Sequence, residues 1–161
     1  MFCETMATIR EGVAAAIAAR EAGLRTIVSF TLDDDNPAQL RSGENLVDAV
    51  AAVAPLNVDA VAVNCSTPET ITAAMPALVA MFPCVGGYAN GFRSIAALDA
   101  GGTTAALKAR EDLSPAAYAT YALQWANAGA KIIGGCCDVT PDHIAEVMRA
   151  LNAAGYDITT F

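Results

Sequence analysis

The chain has 161 residues, 55% of them hydrophobic and 16% charged, with 17 acidic side chains against 9 basic and a net charge of −8. A mean hydropathy of +0.40 excludes a disordered chain, which needs low hydrophobicity and high charge. No uninterrupted apolar run approaches the roughly 18 residues of a membrane span, and a pI near 4.4 argues against nucleic acid as a partner, since neutralising phosphates takes clustered Lys and Arg.

The first residues, Met1-Phe2-Cys3-Glu4-Thr5, lack the basic and apolar segments of a secretory leader, so a cytoplasmic chain is expected. They read instead as a first strand, Met1 to Glu4. Hydrophobic periodicity then predicts a helix from Ala7 to Ala22, closed by Gly23 where a left-handed cap is wanted, and a second strand from Thr26 to Leu32. Asp33-Asp34-Asp35-Asn36-Pro37 reads as a solvated turn; it lacks the Gly and the late Glu of a calcium loop. A helix from Asn45 to Ala54 and a third strand from Ala60 to Asn64 follow. Thr67-Pro68-Glu69 opens the next helix, with a cap residue before proline at the first helical position. The fourth strand is Cys84 to Tyr88. A long irregular stretch containing Gly91, Gly101 and Gly102 leads to a second such start at Ser114-Pro115 and a helix from Ala116 to Ala128. The fifth strand, Lys131 to Gly134, precedes a third start at Thr140-Pro141 and a helix from Asp142 to Ala153.

Short strands alternating with helices of ten to fifteen residues imply βαβ crossovers, a parallel sheet and one α/β domain over residues 1–161. The pattern fits an open doubly wound sheet of the flavodoxin type and equally five eighths of a (β/α)8 barrel. In either, ligands bind beyond the carboxyl ends of the strands. A flavodoxin-like nucleotide binder is disfavoured because no Gly-rich phosphate loop joins a strand to a helix.

Five cysteines, an odd number with no leader, point to metal binding, catalysis or burial rather than to disulfides. Two strand-to-helix junctions look alike: Val63-Asn64-Cys65 runs into Ser66-Thr67-Pro68, and Gly134-Gly135-Cys136-Cys137 runs towards Thr140-Pro141. Each puts cysteine at the ligand-binding end of a strand. Three thiolates without an evident fourth ligand suit a catalytic zinc site, which keeps one position open. Gly134 and Gly135 are expected to let the backbone bend, so that both neighbouring sulfurs reach one ion. Cys3 and Cys84 read as packing residues, Cys84 because it opens its strand at the opposite end.

At these residues the chain resembles the homocysteine S-methyltransferase family, whose zinc cysteines stand in Gly-x-Asn-Cys and Gly-Gly-Cys-Cys segments. Here Ala62 takes the place of the first glycine. The resemblance extends over nearly all 161 residues and includes Glu4-Thr5, Val28-Ser29-Phe30-Thr31, Arg41-Ser42-Gly43-Glu44 and Tyr88-Ala89-Asn90-Gly91. It implies a TIM (β/α)8 barrel of which this chain supplies the C-terminal five eighths, strands four to eight. The chain then corresponds to a fragment, a natural truncation or a piece that pairs with another chain. The open edges of such a sheet invite self-association.

The resemblance further implies zinc-dependent transfer of a methyl group to the thiolate of homocysteine, giving methionine. Cys65, Cys136 and Cys137 are then the metal ligands, and a small-molecule methyl donor is the second substrate; the sequence does not select that donor. Glu4 matches the family's glutamate for the substrate's ammonium, and Asn90 matches the asparagine beside the metal. Ser29 and Thr31 end the second strand and are candidates for lining the pocket. The single histidine, His143, reads as a structural residue at a helix start, and Trp125 with Tyr121 as packing of one helix onto the sheet. The competing reading is a non-catalytic zinc-binding or thiol-rich α/β module that lacks the strands needed for turnover.

Overall fold

Three helices start on side-chain caps that the sequence supplies: the hydroxyls of Thr8, Thr67 and Ser114 accept from the backbone N–H groups of Glu11, Thr70 and Ala117. The structure is a computed structural model describing residues 1–94 and 101–159. In it, strands β1 (Phe2–Met6), β2 (Ile27–Phe30), β3 (Ala60–Asn64), β4 (Val85–Tyr88) and β5 (Ile132–Ile133) alternate with helices α1 (Ile9–Glu21), α2 (Leu46–Val53), α3 (Pro68–Met81), α4 (Pro115–Ala128) and α5 (Pro141–Ala153). Helix α1 ends as the sequence predicts. Gly23 adopts φ 70°, while Gly23 N–H and Leu24 N–H donate to the carbonyls of Arg20 and Ala19. Residues 95–100 of the irregular stretch before α4 lie outside the described residues. Among those described, no helix is long and apolar enough to cross a membrane.

All strand pairs are parallel, and their order in the sheet is their order in the chain. A flavodoxin-like sheet reverses direction at a switch point and puts helices on both faces. Sequential order with crossovers of one hand puts them all on one face, and each helix here packs on the next in the chain. The doubly wound alternative is therefore set aside. The helix-facing side of the sheet is the core: Val28, Phe30, Val61 and Val63 are fully buried. Gly87 lets α3 and α4 close down on β4, since a Cβ there would lie 2.7 Å from Ile71 Cγ2. Trp125 fills that space, with Tyr118 edge-on at 5.9 Å and its indole N–H donated to Thr72 Oγ1. The opposite face is closed at its centre, where Ser29, Ala60, Ala62 and Asn64 are buried, and more accessible around Phe2, 46% exposed, with Ile27 and Ile132 half-buried.

Strand ends shift from the sequence reading by a residue or two, and at β1 and β2 the cause is a partner far along the chain. Strand β1 continues past Glu4 to Met6 because Thr5, at φ 61°, makes a bulge in its pairing with β2. Strand β2 stops at Phe30, since Leu32 N–H turns away to Ser66 Oγ and the Thr31 carbonyl accepts from Arg41 N–H.

Candidate metal centre

The carboxyl ends of β3, β4 and β5 converge on the three predicted thiols. Immediately after β3, Cys65 takes the left-handed conformation, φ 53°, a strain of about 1–2 kcal/mol for a residue with a Cβ. Its neighbours hold it there. Cys65 N–H donates to the Tyr88 carbonyl, and the Cys65 carbonyl accepts from Arg41 Nη2 at 3.3 Å and from the Thr31 hydroxyl at 3.4 Å. Beyond β5, Cys136 N–H donates to the Ala89 carbonyl, while the Cys137 carbonyl accepts from Gly91 N–H at 2.8 Å. The strand ends at Ile133, before both glycines, and Asp138, just after the cysteine pair, turns the chain at φ 63°. Gly135 is needed for space: a Cβ there would sit 2.3 Å from Val139 Cγ1.

The sulfurs of Cys65, Cys136 and Cys137 all lie within 4.8 Å of one another, and those of Cys136 and Cys137 are 3.9 Å apart. A tetrahedral ion with metal–sulfur bonds of about 2.3 Å asks for sulfurs roughly 3.8 Å apart, so the donor set fits one such ion after small side-chain movements. The electrostatics agree. A hydrogen bond from Cys65 pulls the Cys136 thiol below its usual range and pushes Cys65 up by the same interaction, with burial adding to the rise. Burial, then the Cys136 charge, raises Cys137. Packed this closely, the three thiols cannot all ionise without a cation among them.

Asn64, one residue before Cys65, organises the ground beneath the thiols, and the sequence reading missed its role. Its Oδ1 accepts from Thr5 N–H at 3.0 Å and from Ser29 Oγ at 2.8 Å, and its Nδ2 donates to Thr5 Oγ1 at 2.9 Å and to Cys136 Sγ at 3.8 Å. The sequence signal was a polar side chain ending an otherwise apolar strand. Tyr118, also missed, staples two strand ends: its hydroxyl accepts from Ala89 N–H at 3.0 Å and donates to the Gly134 carbonyl at 2.7 Å.

Of the residues expected to touch substrate, Ser29 is buried with its proton committed to Asn64. Asn90 is buried; its Oδ1 accepts from Phe92 N–H, while its Nδ2 has no partner among the described residues. The Tyr88 hydroxyl is likewise buried and has no hydrogen-bond partner among the described residues. Burial raises this phenol, the neighbouring Ser29 hydroxyl works against the rise, and the nearby carboxylate of Glu4 and sulfur of Cys136 add to it. Glu4 itself is exposed on β1. Two buried donors without partners among the described residues, both at the carboxyl end of β4, are a reason to expect a ligand at this end of the sheet.

Other expectations sort cleanly. His143 is structural: its ring accepts from Thr140 N–H through Nδ1 and donates to the Leu113 carbonyl through Nε2. Cys3 packs in the core, and half-buried Cys84 lies at the far end of the strands beside a cleft of about 290 Å³, away from the thiols. The acidic loop is more than a solvated turn, because Asp34 Oδ1 accepts from Thr67 N–H at 2.8 Å and so ties the β2–α2 loop to the start of α3. Half-buried Tyr121 packs against the core that contains Trp125, as expected, while its hydroxyl reaches the Glu69 carboxylate on α3.

A sequentially wound parallel sheet with three clustered thiols at the carboxyl ends of its strands defines an α/β protein whose donor set could hold a soft or borderline metal ion. Residues 1–151 match the family model described as homocysteine S-methyltransferase, and the chain belongs to that family. It is 31% identical over 146 residues to homocysteine S-methyltransferase 4 of Zea mays, covering 85% of this chain and 40% of the relative. It also resembles the metallated form of the homocysteine methyltransferase MmuM of Escherichia coli, with a TM-score of 0.71 and 30% identity over 92% of this chain and 43% of that one. The oxidised form of MmuM gives a TM-score of 0.67 at 32% identity, covering 95% of this chain and 44% of that one. The chain thus spans less than half the length of these relatives.

Proposed function

We propose that this chain is the metal-binding, carboxyl-terminal part of a zinc-dependent methyltransferase that moves a methyl group from a small-molecule donor to the sulfur of homocysteine, giving methionine. The observation that carries the reading is the convergence of Cys65, Cys136 and Cys137 within 4.8 Å at the ligand-binding end of the sheet. Family membership and the metallated state named for the MmuM relative support it.

In this reading the three cysteines hold zinc and leave a fourth position open. When bound, zinc supplies a Lewis acid that keeps the sulfur of a thiol substrate ionised at neutral pH. Glu4 offers its carboxylate to the substrate's ammonium group. Asn90 offers Nδ2, the donor left over once Oδ1 has closed its turn. Ser29 acts at one remove, through Asn64. The five strands correspond to strands four to eight of a (β/α)8 barrel, which the remaining strands would close by pairing with the edges β1 and β5. The open edges, β1 and β5, favour self-association, and the protein works in the cytoplasm.

Calorimetric titration of homocysteine into the zinc-loaded chain tests the reading. It predicts saturable binding to the wild type and none to Cys136→Ser. Zinc retention with no homocysteine binding would replace it with the second reading, a zinc-binding module without turnover, which the open sheet favours.

A further inference from the structure

The orientation of the Asn64 carboxamide is fixed by chemistry. Thr5 N–H can only donate, so the amide atom facing it at 3.0 Å must be the oxygen. The nitrogen is then forced to the other side, where it meets Thr5 Oγ1 at 2.9 Å and Cys136 Sγ at 3.8 Å. Ser29 Oγ, donating to the oxygen from below, locks the same orientation. Asn64 is 1% exposed and Ser29 is fully buried, so the bond between them is shielded from water. One side chain on β3 thereby joins the bulge of β1, the end of β2 and the thiol beyond β5.

We propose that Asn64 is a positioning residue of the metal centre: its locked amide aims an N–H at Cys136 Sγ, orients that sulfur towards Cys65, and couples the centre to the Thr5 bulge beside Glu4. The proposal rests on the assignment of the three cysteines as ligands. Bonds to groups that orient ligands typically change metal affinity by about 10–100-fold. Here the bond also bears on the sulfur's electron density, because an N–H donor draws charge from a ligating thiolate. A residue that served folding alone would leave the second property unchanged.

The test uses two variants of the full chain, loaded with cobalt(II) as a spectroscopic probe and titrated with zinc against a chromophoric chelator. Asn64→Asp keeps the acceptor for Thr5 N–H and Ser29 and replaces the donor at the sulfur with an oxygen. Thr5→Ala removes the hydroxyl that steadies Nδ2, together with the γ-methyl, at an exposed position outside the core. We expect zinc affinity to fall about 10–100-fold in Asn64→Asp and a few-fold in Thr5→Ala, and the sulfur-to-cobalt charge-transfer band to shift in both. Wild-type affinity and an unmoved band in Thr5→Ala would overturn the proposal, even if Asn64→Asp fails to fold. A wild-type chain that binds neither metal would overturn the ligand assignment itself, and this proposal with it.

Discussion

Tyr118 governs the thiols without touching them. Its hydroxyl is the partner of Ala89 N–H and of the Gly134 carbonyl, and the Ala89 carbonyl in turn receives Cys136 N–H. Tyr118→Phe keeps the ring that packs on Trp125 but strands both backbone groups in the interior, a cost of about 1–3 kcal/mol. Urea denaturation should show that loss, while Tyr156→Phe, whose hydroxyl bonds to Asn127 at the surface, should unfold close to the wild-type midpoint. At this scale the thiols themselves were legible in the sequence, because Cys65 and the Cys136-Cys137 pair end their strands just before capped helices. The residues that hold them were not. Asn64 acts on partners 59 and 72 positions away, at Thr5 and Cys136, and no local pattern encodes such a bond.

The connection between β4 and α4 is held at the level of elements by Arg110. Its backbone N–H donates to the Gly91 carbonyl, and its guanidinium pairs with Asp112 through two bonds and with Glu69 on α3 at 2.7 Å. Tyr121 on α4 reaches the other oxygen of Glu69 at 2.6 Å, so one carboxylate links α3, α4 and the connection. Burial works against the ionised Glu69, yet hydrogen bonds from Arg110 and Tyr121 outweigh it and bring its pKa below the usual 4.5. A carboxylate held low in the folded state adds stability that is complete above its unfolded value and is lost as the pH falls through the folded one. The wild type should therefore lose stability on acidification from about pH 7 to about pH 3, and Arg110→Met should lose less over the same range. With the Glu69 side chain 49% exposed, the difference stays within about 1 kcal/mol after screening. Equilibrium unfolding at the two pH values measures it, and an unchanged pH slope in Arg110→Met would contradict the account. Helix starts were readable at this scale because caps and prolines are local signals. Strand ends were less so, since the bulge at Thr5 and the departure of Leu32 depend on distant partners.

For the whole molecule, periodicity gave the α/β class but left two architectures open, because crossovers look the same in a doubly wound sheet and in a sequential one. Pairing between strands far apart in sequence decides it: each strand lies beside its predecessor, and the helices line one face. Phe2, 46% exposed on the edge strand β1, and the edges at β1 and β5 should drive association. Sedimentation velocity is expected to show concentration-dependent species larger than a monomer; a strictly monomeric chain at high concentration would count against the self-association proposed here. The central claim remains that three sulfurs share one ion. Metal content after zinc loading and desalting tests it most directly: about one zinc per chain is predicted for the wild type and for Cys84→Ser, with near-complete loss in Cys65→Ser, Cys136→Ser and Cys137→Ser. A wild-type chain that retains no metal, or a Cys65→Ser chain that retains it in full, would contradict the account.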